Sequence, residues 1–159
     1  MEARADADSV ASQPACADAA LVELAELDRG ECLSLLAATR FGRIVVRTQD
    51  GAPAIRPVNY AFDRPSQSIV FRSGRGSKLH ALTAAGHAAF EIDGIDAGGR
   101  PAWSVIVSGV TEEIVNSAEI SRLAELDVEP WAPSDKPFLI RLRAFTVSGR
   151  RVTSRGALT

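Results

Sequence analysis

The sequence predicts a mainly β protein with short α-helices, in which six antiparallel strands form a closed or nearly closed barrel. Six segments are rich in β-branched and other apolar residues, and turn residues separate them. Most links between these segments are too short for a crossover helix, so neighbouring strands should be antiparallel. The 159 residues, 46% of them apolar, suffice for one domain with its own core. Closure is favoured because a closed barrel has no exposed edges.

Three short helices are predicted between the strands. The first covers 29–39, where Asp28 can cap the helix and Glu31, three residues on, completes a capping box. The second covers 77–85 and follows a glycine-containing loop, and the third begins after Asn116. Because all three are short, the protein stays in the mainly β class.

The six strands are delimited by turn signals. The strongest signal is Asp50–Gly51, because a type I′ turn needs a positive φ at both central residues. A proline-containing turn at 63–67 separates the second strand from the third. In chain order, the predicted strands are 43–48, 54–62, 69–73, 87–93, 101–115 and 138–152.

The N-terminal residues differ from the rest of the chain in composition. Residues 1–18 hold few large apolar residues and predict a disordered tail, which leaves 19–159 as the folded domain. They show neither the basic nor the apolar region of a secretory signal, and no apolar run is long enough to cross a membrane. Cys16 and Cys32 have no disulfide or zinc-site spacing, so no metal is expected. We therefore expect a cytoplasmic protein without a membrane partner.

Charge is small in total but unevenly distributed. A net charge of -2 argues against a nucleic-acid partner, which usually requires a basic excess. Residues 1–31 hold eight acidic residues against two arginines, whereas 136–159 hold six basic residues and no acidic one. These basic residues either form a solvated face that meets the acidic segment, or some of them face an anionic ligand. Both interpretations stay open at this point.

Polar residues on the second and third strands suggest a binding site. Alternation along the second strand directs Arg56 to one face, and Pro57 and Asn59 to the other. Because Pro57 lacks an N–H, this part of the strand should lie at an edge or beside an irregularity. Arg72 and Ser73 on the third strand add an arginine and a hydroxyl, which are unusual in a plain barrel wall.

Ser77 and Lys78 stand at the predicted start of the second helix. A helix N-terminus offers free N–H groups and a positive dipole end, and Lys78 adds a full charge, so an anionic phosphate is a suitable ligand. The glycine spacing is not that of a Walker A loop, and a plain loop with an N-cap is the alternative. Together with Arg56, Arg72 and Ser73, these residues favour a phosphate site.

Several motifs resemble those of one family. The segments GRIVV, PVNYAFD, IVFRSGRGSKLHAL, AAFEID and WSVIVSGVTEEI, in this order, resemble pyridoxamine 5′-phosphate oxidase-like flavoproteins. The branch with the greatest resemblance includes nitroimidazole-resistance proteins and actinobacterial flavin-binding proteins. The resemblance spans about 28–152 and implies a split β-barrel homodimer with FMN at the subunit interface.

The resemblance also implies roles for individual residues. By position, Arg56 and Lys78 resemble the phosphate-binding residues, with Ser77 beside them. Arg72 and Ser73, which follow Phe71 on the same strand, match polar positions near the ribityl chain and phosphate. The segment whose backbone lies against the isoalloxazine ring in that family resembles Pro57, Val58 and Asn59. Two residues that approach the flavin resemble Trp103 and Ser104. Core packing is the alternative for Trp103.

The predicted function is an FMN-dependent oxidoreductase that acts on a small organic substrate. The flavin would carry the redox chemistry, and no catalytic side chain is identified. The chain ends in SGRRVTSRGALT and lacks the basic, tryptophan-containing motif with which pyridoxamine-phosphate oxidases hold their substrate, so vitamin B6 oxidation is not expected. Two alternatives stay open: a deazaflavin-dependent reductase, whose anionic cofactor tail the C-terminal arginines could bind, and a non-catalytic flavin- or haem-binding carrier or sensor.

Overall fold

Seven antiparallel strands make up most of the chain that the computed structural model describes, namely residues 22–48, 50–74, 86–95, 102–126, 128 and 136–154. Two helices accompany them in these residues. In chain order the elements are β1 Val22–Leu27, α1 Arg29–Ala38, β2 Phe41–Arg47, β3 Pro53–Asp63, β4 Ser68–Ser73, β5 Gly86–Ile95, β6 Ala102–Glu113, α2 Ser117–Leu123 and β7 Phe138–Ser154.

Six of the strands close into a barrel. They pair in the order β7-β4-β3-β2-β5-β6, and β6 pairs with β7 again to complete the ring. β7 is 17 residues long, and β4 and β1 occupy successive stretches of one of its edges while β6 runs along the other. The prediction of a six-stranded antiparallel barrel is therefore confirmed.

β1 is an addition to the predicted elements. Its residues pair with the end of β7 from Val22 opposite Ser154 to Leu27 opposite Gly149. The sequence did not indicate this strand, because the side chains of 23–26 are exposed and leave no apolar pattern. Backbone pairing with a distant segment holds it. The predicted helix at 77–85 and the predicted tail at 1–18 lie outside the described residues.

The barrel interior is packed around aromatic rings. Tyr60 and Phe90 are fully buried and meet edge to face, with ring centroids 4.8 Å apart. The Tyr60 hydroxyl donates to the Leu36 carbonyl at 2.8 Å and also bonds to the Thr39 hydroxyl, which ties the end of α1 to β3. Burial raises the pKa of Tyr60 to about 12, so the phenol stays protonated in the physiological range.

A second apolar cluster lies on the outer face of the barrel. There Leu123 of α2 packs with Ala61 of β3, Val70 of β4 and Leu139 of β7. Alternation along the strands explains the two layers, since Tyr60 and Phe71 point inward while Ala61 and Val70 point outward. α2 therefore covers one part of the outer face.

Removing one hydroxyl tests how strongly the α1 contact stabilises the barrel. We expect Tyr60→Phe to lower the free energy of unfolding by about 1–2 kcal/mol, because it removes the partner of the Leu36 carbonyl. Ser121→Ala is the control, since it removes an exposed hydroxyl that donates to the Ser117 carbonyl. Urea unfolding followed by circular dichroism measures both. Equal midpoints for Tyr60→Phe and the unaltered protein would contradict the expectation.

Candidate functional site

The polar segment of β3, from Arg56 to Asn59, lies where β3 pairs with a described strand on one side only. β2 pairs with β3 from Pro53 to Asn59, whereas the described pairing with β4 begins at Tyr60. Pro57 is exposed and stands opposite Arg43 of β2. The expectation that Pro57 marks a strand edge is thus confirmed among the described residues.

The structure brings Asn59 and Arg72 to one place on the outer face. Tyr60 pairs with Phe71, so the preceding Asn59 and the following Arg72 leave adjacent strands at neighbouring positions and on the same side. Both are partly buried. Ser73, which comes next on β4, is buried opposite Phe138 of β7.

The donor atoms of these two side chains fit an anionic ligand. Asn59 Nδ2 and Arg72 Nε are buried and make no hydrogen bond within the described part of the chain, although both residues take part in other interactions. Amide and guanidinium N–H groups donate to phosphate or carboxylate oxygens, and the guanidinium also supplies charge. The pair therefore has the donors and the charge to hold an oxyanion.

The other predicted residues of β3 and β4 have different surroundings. Arg56 is exposed, and its guanidinium donates to the Ile55 carbonyl at 2.8 Å. Val58 and Phe71 belong to the barrel core, so their side chains support the site from inside. Ser77 and Lys78 lie outside the described residues.

Trp103 and Ser104 stand at the start of β6. The Trp103 indole packs over Gly94 of β5, where an added Cβ would lie only 2.5 Å from the ring, and it also packs against the barrel core. These contacts agree with the core-packing interpretation of Trp103. Ser104 lies opposite Asp93 of β5 and Arg150 of β7.

One subunit does not bring Asn59 and Ser104 together. From β3, the barrel wall passes through β2 and β5 before it reaches β6. At about 4.8 Å between neighbouring strands, three steps amount to about 14 Å. The predicted site residues therefore form two groups on opposite sides of the six-stranded ring, one on β3 and β4 and the other at the start of β6.

An ion-pair cluster and exposed apolar side chains lie between the two groups. Arg43 donates to Glu91 at 2.8 Å and to Asp93 at 2.6 Å. These hydrogen bonds raise the pKa of the Arg43 guanidinium, and the bond to Asp93 has the larger effect. Large exposed apolar side chains also lie on the outer face of these strands, namely Phe41 of β2, Ile55 of β3 and Ile106 of β6. We call this region of β2, β3, β5 and β6 the outer patch.

The structure describes the basic C-terminal segment as far as residue 154. Arg141 and Arg143 both contact Glu112 at 2.8 Å, and Arg151 lies 3.5 Å from Glu31. Hydrogen bonds from Arg143, together with the charge of Arg141, lower the pKa of Glu112. Arg151 thus meets the acidic segment, as the solvated-face interpretation expects, whereas Arg143 and the largely buried Arg141 pair with Glu112 of β6.

Arg150 has a different setting from the other C-terminal arginines. It lines a groove of about 490 Å³ with Ser104, Ser148 and Glu26, and it makes no ion pair within the described part of the chain. This groove was not predicted from the sequence as a site, although Ser104 and the run of basic residues at 136–159 were both noted there.

Two further observations concern the described residues alone. None of their helices combines the length and apolar character of a membrane span. No group of three or more histidine, cysteine, aspartate or glutamate side chains among them could hold a metal ion.

Comparisons with known proteins assign the chain to a family. The family model described as pyridoxamine 5′-phosphate oxidase matches residues 28–151. The uncharacterized protein Rv0080 of Mycobacterium tuberculosis is 31% identical over 137 residues, which cover 83% of this chain and 88% of that protein.

Solved structures show the same fold. The FAD binding protein of Mycobacterium smegmatis superposes with a TM-score of 0.67 at 28% identity, covering 79% of this chain and 96% of that one. An FAD-binding protein of Mesorhizobium loti superposes with a TM-score of 0.66 at 21% identity, covering 83% of this chain and 98% of that one, and this likeness concerns the fold alone. Because the family model spans the barrel from α1 into β7, this chain belongs to the pyridoxamine 5′-phosphate oxidase-like family.

Proposed function

We propose that this protein is a flavin-binding oxidoreductase that holds FMN through its phosphate and acts on a small organic substrate. The observation that carries the proposal is the position of Asn59 and Arg72, whose partly buried side chains occupy neighbouring positions on the outer face of β3 and β4. Membership of the family and the likeness to an FAD binding protein at 28% identity support a flavin as the ligand.

The chain's own residues would bind and orient the cofactor. The Arg72 guanidinium and the Asn59 amide donate to phosphate oxygens, and Ser77 and Lys78, which follow β4, are the predicted further donors. Among the described residues no strand pairs with this edge of β3 at the exposed Pro57, so its backbone is open there to a planar ring. The bound flavin supplies the hydride or electron transfer, while the protein controls its orientation and its access to water.

We further propose that a complete site needs a second copy of the chain. Asn59 and Ser104 are too far apart in one subunit to contact the same part of a flavin, and the outer patch lies between them. The side chains of Phe41, Ile55 and Ile106 are exposed, and association with a partner would remove this apolar surface from water. A two-fold dimer across this patch would present the partner's Ser104 to the Asn59 and Arg72 of the first subunit.

FAD is the second candidate cofactor. Its diphosphate offers the same kind of oxyanion to Arg72, and the similar M. smegmatis protein is described as FAD binding. The sequence left deazaflavin and haem as alternative cofactors. Titrating the protein with each of the four compounds shows which of them it binds.

Titration with FMN tests the site. We expect the protein to bind FMN at micromolar concentration, and we expect Arg72→Ala to weaken the affinity roughly 10- to 100-fold, because charged hydrogen bonds contribute about 1.5–3 kcal/mol. Quenching of flavin fluorescence measures the affinity. Arg64→Ala, at an exposed arginine in the turn between β3 and β4, is the matched control and should bind like the unaltered protein. Binding of haem or deazaflavin without binding of either flavin would refute the proposal.

Sedimentation tests the dimer. The unaltered protein should sediment as a dimer, and Ile55→Glu should shift it toward the monomer, because a carboxylate would then be buried within the outer patch. Val115→Glu is the control, since Val115 is 78% exposed and follows β6 outside the patch. A dimer that Ile55→Glu leaves intact would place the interface elsewhere.

A further inference from the structure

α2 is held on the barrel by charged contacts at its rim. Asp63, at the end of β3, is only 1% exposed and accepts two hydrogen bonds from the Arg122 guanidinium, each 2.9 Å long. Ser66 also donates to this carboxylate. On the other side, Arg141 of β7 donates to Glu119 of α2 at 2.5 Å. The helix is thus tied to β3 and β7 while Leu123 packs beneath it.

The cluster under α2 borders the proposed phosphate site. Leu139 stands directly opposite Arg72 in the pairing of β7 with β4, and Val70 precedes Arg72 by two residues on the same face. Both Leu139 and Val70 belong to the outer cluster that Leu123 completes. The surface beside Arg72 therefore depends on α2 being in position.

We propose that Arg122 is a positioning residue for the phosphate site. Its bidentate hydrogen bond to Asp63 holds α2 in position. α2 in turn packs on Leu139 and Val70, and these side chains restrict the positions open to the Arg72 guanidinium. A planar guanidinium that donates two parallel hydrogen bonds holds one orientation, which a lysine ammonium does not. This inference rests on the proposed function, because it assigns a role to α2 in the same site.

Two ligands that differ only in the phosphate separate positioning from general stability. The unaltered protein should bind FMN more tightly than riboflavin. Arg122→Gln should weaken FMN binding roughly tenfold, equivalent to about 1.4 kcal/mol, and leave riboflavin binding within about twofold. Arg122→Lys should restore part of the FMN affinity. Arg143→Gln, at an exposed arginine that contacts Glu112 in the same group of ion pairs, is the matched control and should leave both affinities unchanged.

Each other result of this titration decides against the inference. An Arg122→Gln variant that weakens FMN and riboflavin equally shows a structural role only, and one that keeps the full FMN preference shows that α2 does not act on Arg72. If the unaltered protein binds both ligands equally, the phosphate site itself is wrong, and the inference fails with it. If Arg122→Gln does not fold, Glu119→Gln replaces it, because this variant removes the ion pair between α2 and Arg141. Its FMN and riboflavin affinities are then interpreted in the same way.

Acidification provides a second test of the Asp63 contact. The Arg122 guanidinium, more than any other group, holds the pKa of Asp63 below its usual range. The contact therefore stabilises the fold fully at pH values above the unfolded-state pKa of about 3.9. This stabilisation is lost as the pH falls through the lower folded-state pKa. Asp63→Asn should therefore be less stable than the unaltered protein at pH 7, and the difference in urea midpoint should narrow below about pH 4. A difference that stays constant from pH 7 to pH 3 would contradict the role of the charge.

Discussion

The double pairing of β7 is the constraint on which the rest of the structure depends. Its first residues bind β4 and its later residues bind β1, while β6 runs along the opposite edge and closes the barrel. The β6–β7 pairing that closes the ring contains a register shift between Ser108 and Gly109. Gly109 fits there because any Cβ would lie 1.9 Å from the Arg143 carbonyl oxygen. Once the ring is closed, every outward-facing residue has a fixed place on the wall.

That fixed wall explains why the predicted site residues separate into two groups. Asn59 and Arg72 become neighbours because Tyr60 and Phe71 pair in the core. Ser104 is placed three strands away by the same ladder of hydrogen bonds. A rigid barrel cannot bend to close this gap, so a shared ligand would have to join groups from two subunits. In the dimer proposed above, the exposed apolar side chains of the outer patch would be buried between the subunits.

The sequence allowed the barrel to be predicted, and the parts it missed have physical reasons. The β-branched runs predicted the six barrel strands, and Pro57 lies at a strand edge among the described residues. The turn at Asp50–Gly51 does lie between β2 and β3, but it is not type I′, because Gly51 has a positive φ and Asp50 does not. β1 was missed because it is held by backbone bonds to a segment more than 120 residues away, and such bonds leave no mark on exposed side chains. In the same way, the ion pair of Asp63 and Arg122 joins residues 59 positions apart, and only the closed barrel brings them together. The grouping of site residues also depends on register, which local patterns do not fix.

The central claim is that each flavin site combines β3 and β4 of one subunit with β6 of its partner. Mixed dimers test it most directly, with Arg72→Ala in one subunit and Ser104→Trp in the other. If the site is shared, each homodimeric variant binds FMN weakly, whereas the mixed dimer keeps one intact site and binds one FMN with the affinity of the unaltered protein. If both residues serve a site within one subunit, the mixed dimer has no intact site, and its failure to bind FMN tightly would contradict the account.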